Sequence, residues 1–277
     1  MLVCLNGKFI PHEDAAVAIN DGSFLYGESL FETIKARKNS ILLQQQHLDR
    51  LQQSAKLIEQ PCPRDKIEKA LCYLAASLTA PWSRLRLTLS RGPFTGLQFP
   101  HGDKAWFLLT AVPHEPADNS AVRRGIVCCL APNRRVNPLS HLPQLKRGNY
   151  ADCLFARNHA LRNGAEEALF VDSRGYLLEG ATSNLFALIN KRLVTPPAGR
   201  LVLKGVMRQQ VIAAARELGI LTIERPLHLT EACSADEVFL TNSIIDLQPV
   251  RRIDDHPIAT GTCWQDLLKT LYLRIVS

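Results

Sequence analysis

The sequence predicts a mixed α/β (α+β) protein of two domains, and three observations carry that prediction. The chain has 277 residues, 46% hydrophobic and 21% charged, enough apolar material for two ordinary cores. Short strand-like runs are interleaved in both halves with helical stretches, and in the first half the apolar residues of those stretches recur at three and four, the mark of helices. One stretch, Pro113-His114-Glu115-Pro116-Ala117-Asp118-Asn119-Ser120, has two prolines, polar side chains and no periodicity. The expected layout is an N-terminal α/β domain over 1–112, a linker over 113–120 and a C-terminal α/β domain over 121–277.

The elements follow in order. Asn6-Gly7 turns a hairpin between 2–5 and 8–10. A short strand over 17–19 runs into Asn20-Asp21-Gly22, and 24–34 reads as a turn over a pocket followed by a strand. Tyr26 is a pocket candidate there, since a buried phenol needs a partner for its hydroxyl. After a strand at 41–43, a helix over 47–59 turns Leu48, Leu51, Ala55 and Ile58 inward, and a second over 64–78 does so with Ile67, Leu71, Leu74 and Leu78. Arg50 lies off the first stripe, either solvated or gripping an anion with its planar fork. The strand over 85–92 carries Arg86, Thr88 and Ser90 on one face, which suits a substrate floor or a solvent face, and a further strand covers 105–112.

In the second half, a strand over 125–130 leads into a Pro/Arg-containing loop over 131–144 that delivers Lys146. A helix then runs to Arg162 and stops at Asn163-Gly164. Strands follow at 168–171, 185–189 and 193–195, with turns at 172–175 and 190–192. Gly205 opens a helix that ends before Gly219, and a glycine there frees backbone amides to face an anion. The strand over 237–240 ends in Thr241-Asn242-Ser243, small polar residues that also suit an anion. A helix over 264–275 closes the chain.

Composition excludes several classes. No apolar run approaches the roughly 18 residues of a membrane span. Polar Asn6-Gly7-Lys8 follows the first residues at once, so no secretion signal is expected and the cytoplasm is the expected location. The eight cysteines form no Cys-x-x-Cys and no zinc pattern, so reduced, mostly buried thiols and no metal are expected. The net charge of +7 is spread along the chain without a basic tail, which fits anionic small molecules or a solvated surface better than nucleic acid.

The chain is organised around 145–184. This stretch opens with Leu145-Lys146-Arg147-Gly148-Asn149-Tyr150 and closes with Leu178-Glu179-Gly180-Ala181-Thr182-Ser183-Asn184. One end supplies an amine and the other a carboxylate among small and hydroxyl residues. An amine that can be held neutral, with a carboxylate that keeps a ring nitrogen protonated, is what pyridoxal 5'-phosphate requires.

Six segments in order resemble the fold type IV pyridoxal-phosphate enzymes, the class IV aminotransferase family. They are Leu25-Tyr26-Gly27 with Leu30-Phe31-Glu32-Thr33, His47-Leu48-Asp49-Arg50-Leu51, Leu145-Lys146 with Asn149-Tyr150, Glu179-Gly180 with Ser183-Asn184-Leu185-Phe186, Gly205-Val206 with Arg208, and Thr241-Asn242-Ser243 with Pro249-Val250. The resemblance spans nearly the whole chain and implies a D-amino acid aminotransferase-like fold and a homodimer acting on a small-molecule amino substrate. It implies that Lys146 bonds to the cofactor aldehyde, that Glu179 faces the pyridine nitrogen and that Tyr150 lies near the ring hydroxyl. It also implies that Arg50, the amides of Val206 and Met207, and Thr241 hold the phosphate. Tyr26, Phe31, Arg86, Arg91, Asn242 and Ser243 are the implied substrate contacts, with Arg86 or Arg91 on a carboxylate. The chain departs from the pattern at Met207, where relatives carry a hydroxyl, at Lys204, where proline is common, and at Asp246, where glycine is common.

Within the family, Thr241-Asn242-Ser243 and Ser90-Arg91-Gly92 are more similar to 4-amino-4-deoxychorismate lyases, and the Pro-Arg-x-His carboxylate trap of D-amino acid aminotransferases is missing. The expected reaction converts aminodeoxychorismate to 4-aminobenzoate, a folate precursor, and pyruvate. The alternatives are an aminotransferase acting on branched-chain or D-amino acids, and a non-catalytic homologue that binds pyridoxal phosphate.

Overall fold

The computed structural model describes residues 2–100, 104–133 and 145–276. It divides into two compact units, one formed by 1–116 with Leu145–Tyr150, the other by 117–144 with 151–277. Most of the loop expected over 131–144 lies outside the described residues.

The first unit contains β1 (Leu2–Leu5), β2 (Lys8–Ile10), α1 (Gly22–Leu25), β3 (Ser29–Arg37), β4 (Ser40–Ile41), α2 (Gln44–Leu57), α3 (Arg64–Ala76), β5 (Trp82–Ser90) and β6 (Trp106–Pro113). The six strands form one sheet in the order β2-β1-β6-β5-β3-β4, and its described pairings are antiparallel. The period-two alternation places Leu30, Ile34, Leu85, Leu87 and Leu89 on one buried face. Leu48, Leu51 and Ala55 of α2 and Ile67, Leu71 and Leu74 of α3 are likewise buried, α2 packing on β3 and α3 on β1 and β6. Each such leucine contributes about 2 kcal/mol of burial.

The second unit contains α4 (Asn119–Arg124), β7 (Ile126–Leu130), α5 (Ala151–Arg162), β8 (Glu167–Val171), β9 (Tyr176–Gly180), β10 (Asn184–Ile189), β11 (Arg192–Thr195), α6 (Val206–Glu217), β12 (Thr222–Glu224), β13 (Leu227–His228), α7 (Leu229–Cys233), β14 (Glu237–Asn242), β15 (Asp246–Ile253), β16 (His256–Pro257) and α8 (Cys263–Val276). Its sheet runs β12-β11-β10-β14-β15-β7-β8-β9-β13, with β16 beside β15. β7 and β8 are parallel, and such a pair needs a crossover connection, here containing α5. α6 and α8 pack on each other and on β14.

Three expectations are corrected. Residues 17–19 form no strand; Ile19 is 83% exposed, so the short apolar run buries no face against a sheet. The stretch expected as a structureless linker holds the start of α4, because the Asp118 carboxylate accepts the Ala121 amide at 2.6 Å and caps the helix. Finally, Lys146 was expected with the C-terminal half, but Leu145–Tyr150 groups with the first unit. The reason is backbone pairing. Arg147 bridges Leu30, the Phe31 amide donates to the Lys146 carbonyl at 2.8 Å, and the Gly148 amide donates to the Ser29 carbonyl at 2.7 Å.

No helix among the described residues is long and apolar enough to cross a membrane. No disulfide joins the cysteines among the described residues; Cys4, Cys128, Cys129 and Cys153 are buried and Cys72 is exposed.

Candidate active site

In the first unit the lysine-bearing segment adds to the edge of β3. Two glycines permit it. Gly27 has φ +63°, and a Cβ there would sit 2.8 Å from Asn149 Cα. A Cβ on Gly148 would sit 2.0 Å from Ser29 Oγ. The turn at Gly27 and the segment after Lys146 therefore lie backbone to backbone, which only glycine allows.

Lys146 is half-buried, with Nζ 4.6 Å from the centre of the Phe31 ring and 5.9 Å from that of Tyr150. Phe31 and Tyr150 meet edge to face at 5.4 Å, and the Arg86 guanidinium lies 3.9 Å from the Phe31 ring centre. Four predicted residues, Phe31, Arg86, Lys146 and Tyr150, thus converge on one aromatic platform that carries two cations. Each cation–π contact contributes about 0.5–1 kcal/mol where solvent reaches it.

Arg50, in α2, reaches the opposite face of β3, where Glu32 sits between Leu30 and Ile34. Its Nε donates to Glu32 Oε1 at 2.8 Å and its Nη2 donates to Glu32 Oε2. His47 Nδ1 donates to the same Oε2 at 2.7 Å. Both Glu32 and His47 are buried. Burial works to raise the Glu32 pKa, but the Arg50 charge and the hydrogen bonds from His47 and Arg50 outweigh it and hold the carboxyl at about 2. Burial pushes the His47 pKa down against the attraction of Glu32, so the imidazole is neutral at pH 7 and its proton sits on Nδ1.

The other two candidates in this unit lie elsewhere. The Arg91 guanidinium donates to the carbonyls of Glu59, at 2.8 Å, and Ile58, at 2.5 Å, just beyond α2. It satisfies orphan carbonyls at a helix end; of the two arginines expected on a carboxylate, Arg86 is the one on the platform. Tyr26 is 47% exposed, donates to the Gly96 carbonyl at 3.4 Å and packs on Phe94, so its phenol is not the buried one expected. Ser90, expected on an open strand face, is buried and donates to Asp21 at 2.7 Å.

In the second unit Glu179 is the next-to-last residue of β9, buried. Its Oε2 accepts from Asn184 Nδ2 at 3.1 Å and from the Leu203 amide at 2.9 Å. Asn184 Nδ2 also donates to the Leu203 carbonyl, and a Cβ on Gly205 would sit 2.0 Å from Asn184 Oδ1. Gly205 is therefore required by close approach: it makes room for the asparagine that ties the carboxylate to the start of α6. No side chain caps α6, so the first-turn amides, including those of buried Val206 and Met207, are not taken by a capping side chain.

Thr241 and Asn242 differ from expectation. The buried Thr241 hydroxyl donates to the Asp246 carbonyl, which removes its proton from any phosphate contact. Asp246 has φ +57°, the left-handed conformation that explains why glycine is common there. Asn242 Oδ1 accepts the amides of Ile244 and Ile245 at 2.9 and 3.0 Å, while its Nδ2 donates to the Thr182 carbonyl at 3.1 Å. Ser243 is half-buried beside it.

Three residues escaped the sequence reading. Asn184 was visible only as part of a motif. Glu32 carried a signal, a carboxylate in phase with Leu30 and Ile34 on the apolar side of β3. Glu167 carried a similar one, heading an otherwise apolar strand; it accepts from Thr182 Oγ1 at 2.6 Å, Ser183 Oγ at 3.1 Å and the Ala168 amide at 3.0 Å, and so shapes the turn after Glu179.

The donor set fits pyridoxal phosphate. A carboxylate fixed by two donors suits a protonated pyridine nitrogen, a glycine-started helix without a side-chain cap suits a phosphate, and an amine on an aromatic platform suits an aldehyde. No group of three or more His, Cys, Asp or Glu placed for a metal occurs among the described residues.

Comparison with known proteins agrees. The amino-transferase class IV family model matches residues 29–253. A putative branched-chain-amino-acid aminotransferase of Methanocaldococcus jannaschii is 33% identical, over 93% of this chain and 90% of that one. The solved branched-chain amino acid aminotransferase of Escherichia coli superposes with a TM-score of 0.90 at 27% identity, covering 97% of this chain and 92% of that one. The solved 4-amino-4-deoxychorismate lyase of Pseudomonas aeruginosa gives 0.88 at 27%, covering 98% of each chain. The chain belongs to the class IV aminotransferase family, enzymes of fold type IV that work with pyridoxal phosphate.

Proposed function

We propose that this enzyme is a lyase that converts 4-amino-4-deoxychorismate to 4-aminobenzoate and pyruvate. The observation that carries the reading is the closed turn between β14 and β15. An amino acid substrate brings a carboxylate on its amino-bearing carbon, and turn amides are natural partners for it. Here the amides of Ile244 and Ile245 are already bonded to Asn242. Aminodeoxychorismate has no carboxylate on its amino-bearing carbon; its carboxylates lie on the far side of the ring and on the enolpyruvyl group. Arg86, exposed on the Phe31 platform, is suited to one of them by a bidentate contact. The match in length to the solved lyase supports the same reading.

Bound pyridoxal phosphate supplies an electrophilic carbon and a ring that draws electrons from the amino-bearing carbon. Glu179 keeps a proton on the pyridine nitrogen, and Asn184 and the Leu203 amide keep Glu179 in place. Lys146 would be the base that removes the proton from the amino-bearing carbon and the acid that returns one to the departing enolpyruvyl oxygen. Loss of that proton and of the enolpyruvyl group leaves an aromatic ring, which makes elimination favourable.

The second reading, a branched-chain aminotransferase, draws on the names of the Methanocaldococcus jannaschii and Escherichia coli relatives. One assay separates the two. Given aminodeoxychorismate and no keto acid, the enzyme is expected to release pyruvate and 4-aminobenzoate over many turnovers. Turnover that requires both an amino donor and a keto-acid acceptor would assign it to the transaminases.

A further inference from the structure

We propose that Glu32 and His47 are positioning residues for the cofactor phosphate, acting through Arg50. The inference rests on the reading of Arg50 as a phosphate ligand and adds the device that aims it. A charged group is an expensive choice for the interface between α2 and β3. Taking a carboxylate out of water costs several kcal/mol, and an apolar side chain in phase with Leu30 and Ile34 would pack there without that cost.

The arrangement makes sense as an orienting clamp. Glu32 takes the Nε–Nη2 edge of the guanidinium with both of its oxygens. A planar fork held along one edge by both oxygens of a carboxylate is fixed in plane as well as in position. His47 fixes the carboxylate in turn. It is buried, and its Nδ1–H donates to Glu32 Oε2 at 2.7 Å, the oxygen that Arg50 Nη2 also uses. An arginine side chain gives up rotamer freedom when it is ordered. With the clamp, that cost is met on folding and not on binding the cofactor.

The test compares two probes on full-length protein freed of cofactor: pyridoxal phosphate, and pyridoxal, which lacks the phosphate. Binding of each is titrated by absorbance in wild type, Arg50→Ala, Glu32→Gln, His47→Leu and the double variant Glu32→Gln/Arg50→Ala. Glu32→Gln is expected to weaken pyridoxal phosphate on the order of tenfold and to leave pyridoxal within about twofold. His47→Leu moves the same way by less. On the Arg50→Ala background, Glu32→Gln adds nothing further.

If Arg50→Ala leaves the ratio of the two affinities unchanged, the reading of Arg50 itself falls, and this inference with it. If Arg50→Ala changes the ratio but Glu32→Gln and His47→Leu do not, the inference alone is overturned. Equal weakening of both probes would mark a merely structural role and also overturns it. Should Glu32→Gln fail to fold, His47→Leu decides: a phosphate-specific loss supports the clamp, and an unchanged ratio removes it.

Discussion

Arg86 and Arg91 are five residues apart in sequence and do different work. Arg91 closes the end of α2 by donating to the carbonyls of Ile58 and Glu59. Arg91→Met is expected to destabilise by about 2 kcal/mol, a fall in Tm of roughly 5 °C, with kcat/KM unchanged in the folded fraction. Arg86 lies on the Phe31 ring. Arg86→Met is expected to lower kcat/KM about tenfold or more with little change in Tm. Thermal melts and initial rates on both variants check the pair, and an exchange of the two phenotypes would reverse the assignment. Parity shows how far the sequence could separate the two. Period two places Arg86 with Thr88 on one face of β5, but the strand ends at Ser90 and the alternation says nothing of Arg91.

Glu32 gives a residue-scale prediction in pH. Its folded pKa, about 2, lies below the ordinary value of 4.5, so its contribution to stability is complete above pH 4.5 and is lost as pH falls toward 2. The shift corresponds to about 3 kcal/mol. The stability gap between wild type and Glu32→Gln, from urea unfolding, is therefore expected to be widest near pH 6, to narrow below pH 4.5 and to close only toward pH 2. A gap independent of pH would mean that Glu32 is not ionised in the folded protein.

At the scale of elements, the lysine is placed by a short edge pairing with β3. Gly27→Ala puts an L residue at φ +63° and drives a Cβ against Asn149. It is expected to cost about 1–2 kcal/mol and to loosen the hold on cofactor, measured by pyridoxal phosphate retained after gel filtration. Normal retention would mean that the crossing of the two backbones does not matter. The helices α2 and α3 and most long strands were legible from a clean period, and α5 and α6 from the glycines at their ends, since α5 leaves Leu154, Phe155 and Leu161 exposed and has no single apolar face. The pairing of Leu145–Tyr150 with the first unit was not, because it is made by backbone groups between residues more than a hundred positions apart. The start of α4 was hidden by two prolines, although Asp118 announced it as a cap.

At the scale of the molecule, Lys146 and Glu179 were legible as residue types in order, while their supports were not. Asn184 reaches Glu179 and Leu203 at once only after β9 and β10 have folded back. The resemblance also implies a homodimer, which suits the exposed Ile19, Phe24, Leu97 and Phe99 of the first unit. Light scattering is expected to give twice the chain mass, and a monomer at micromolar concentration would contradict it.

The central claim is that the Lys146 amine bonds to the cofactor. Borohydride reduction of the holoenzyme, digestion and peptide mass mapping test it most directly. One phosphopyridoxyl group is expected, on Lys146, and none in a folded Lys146→Ala variant. A reduced adduct on another lysine, or labelling that survives Lys146→Ala, would contradict it.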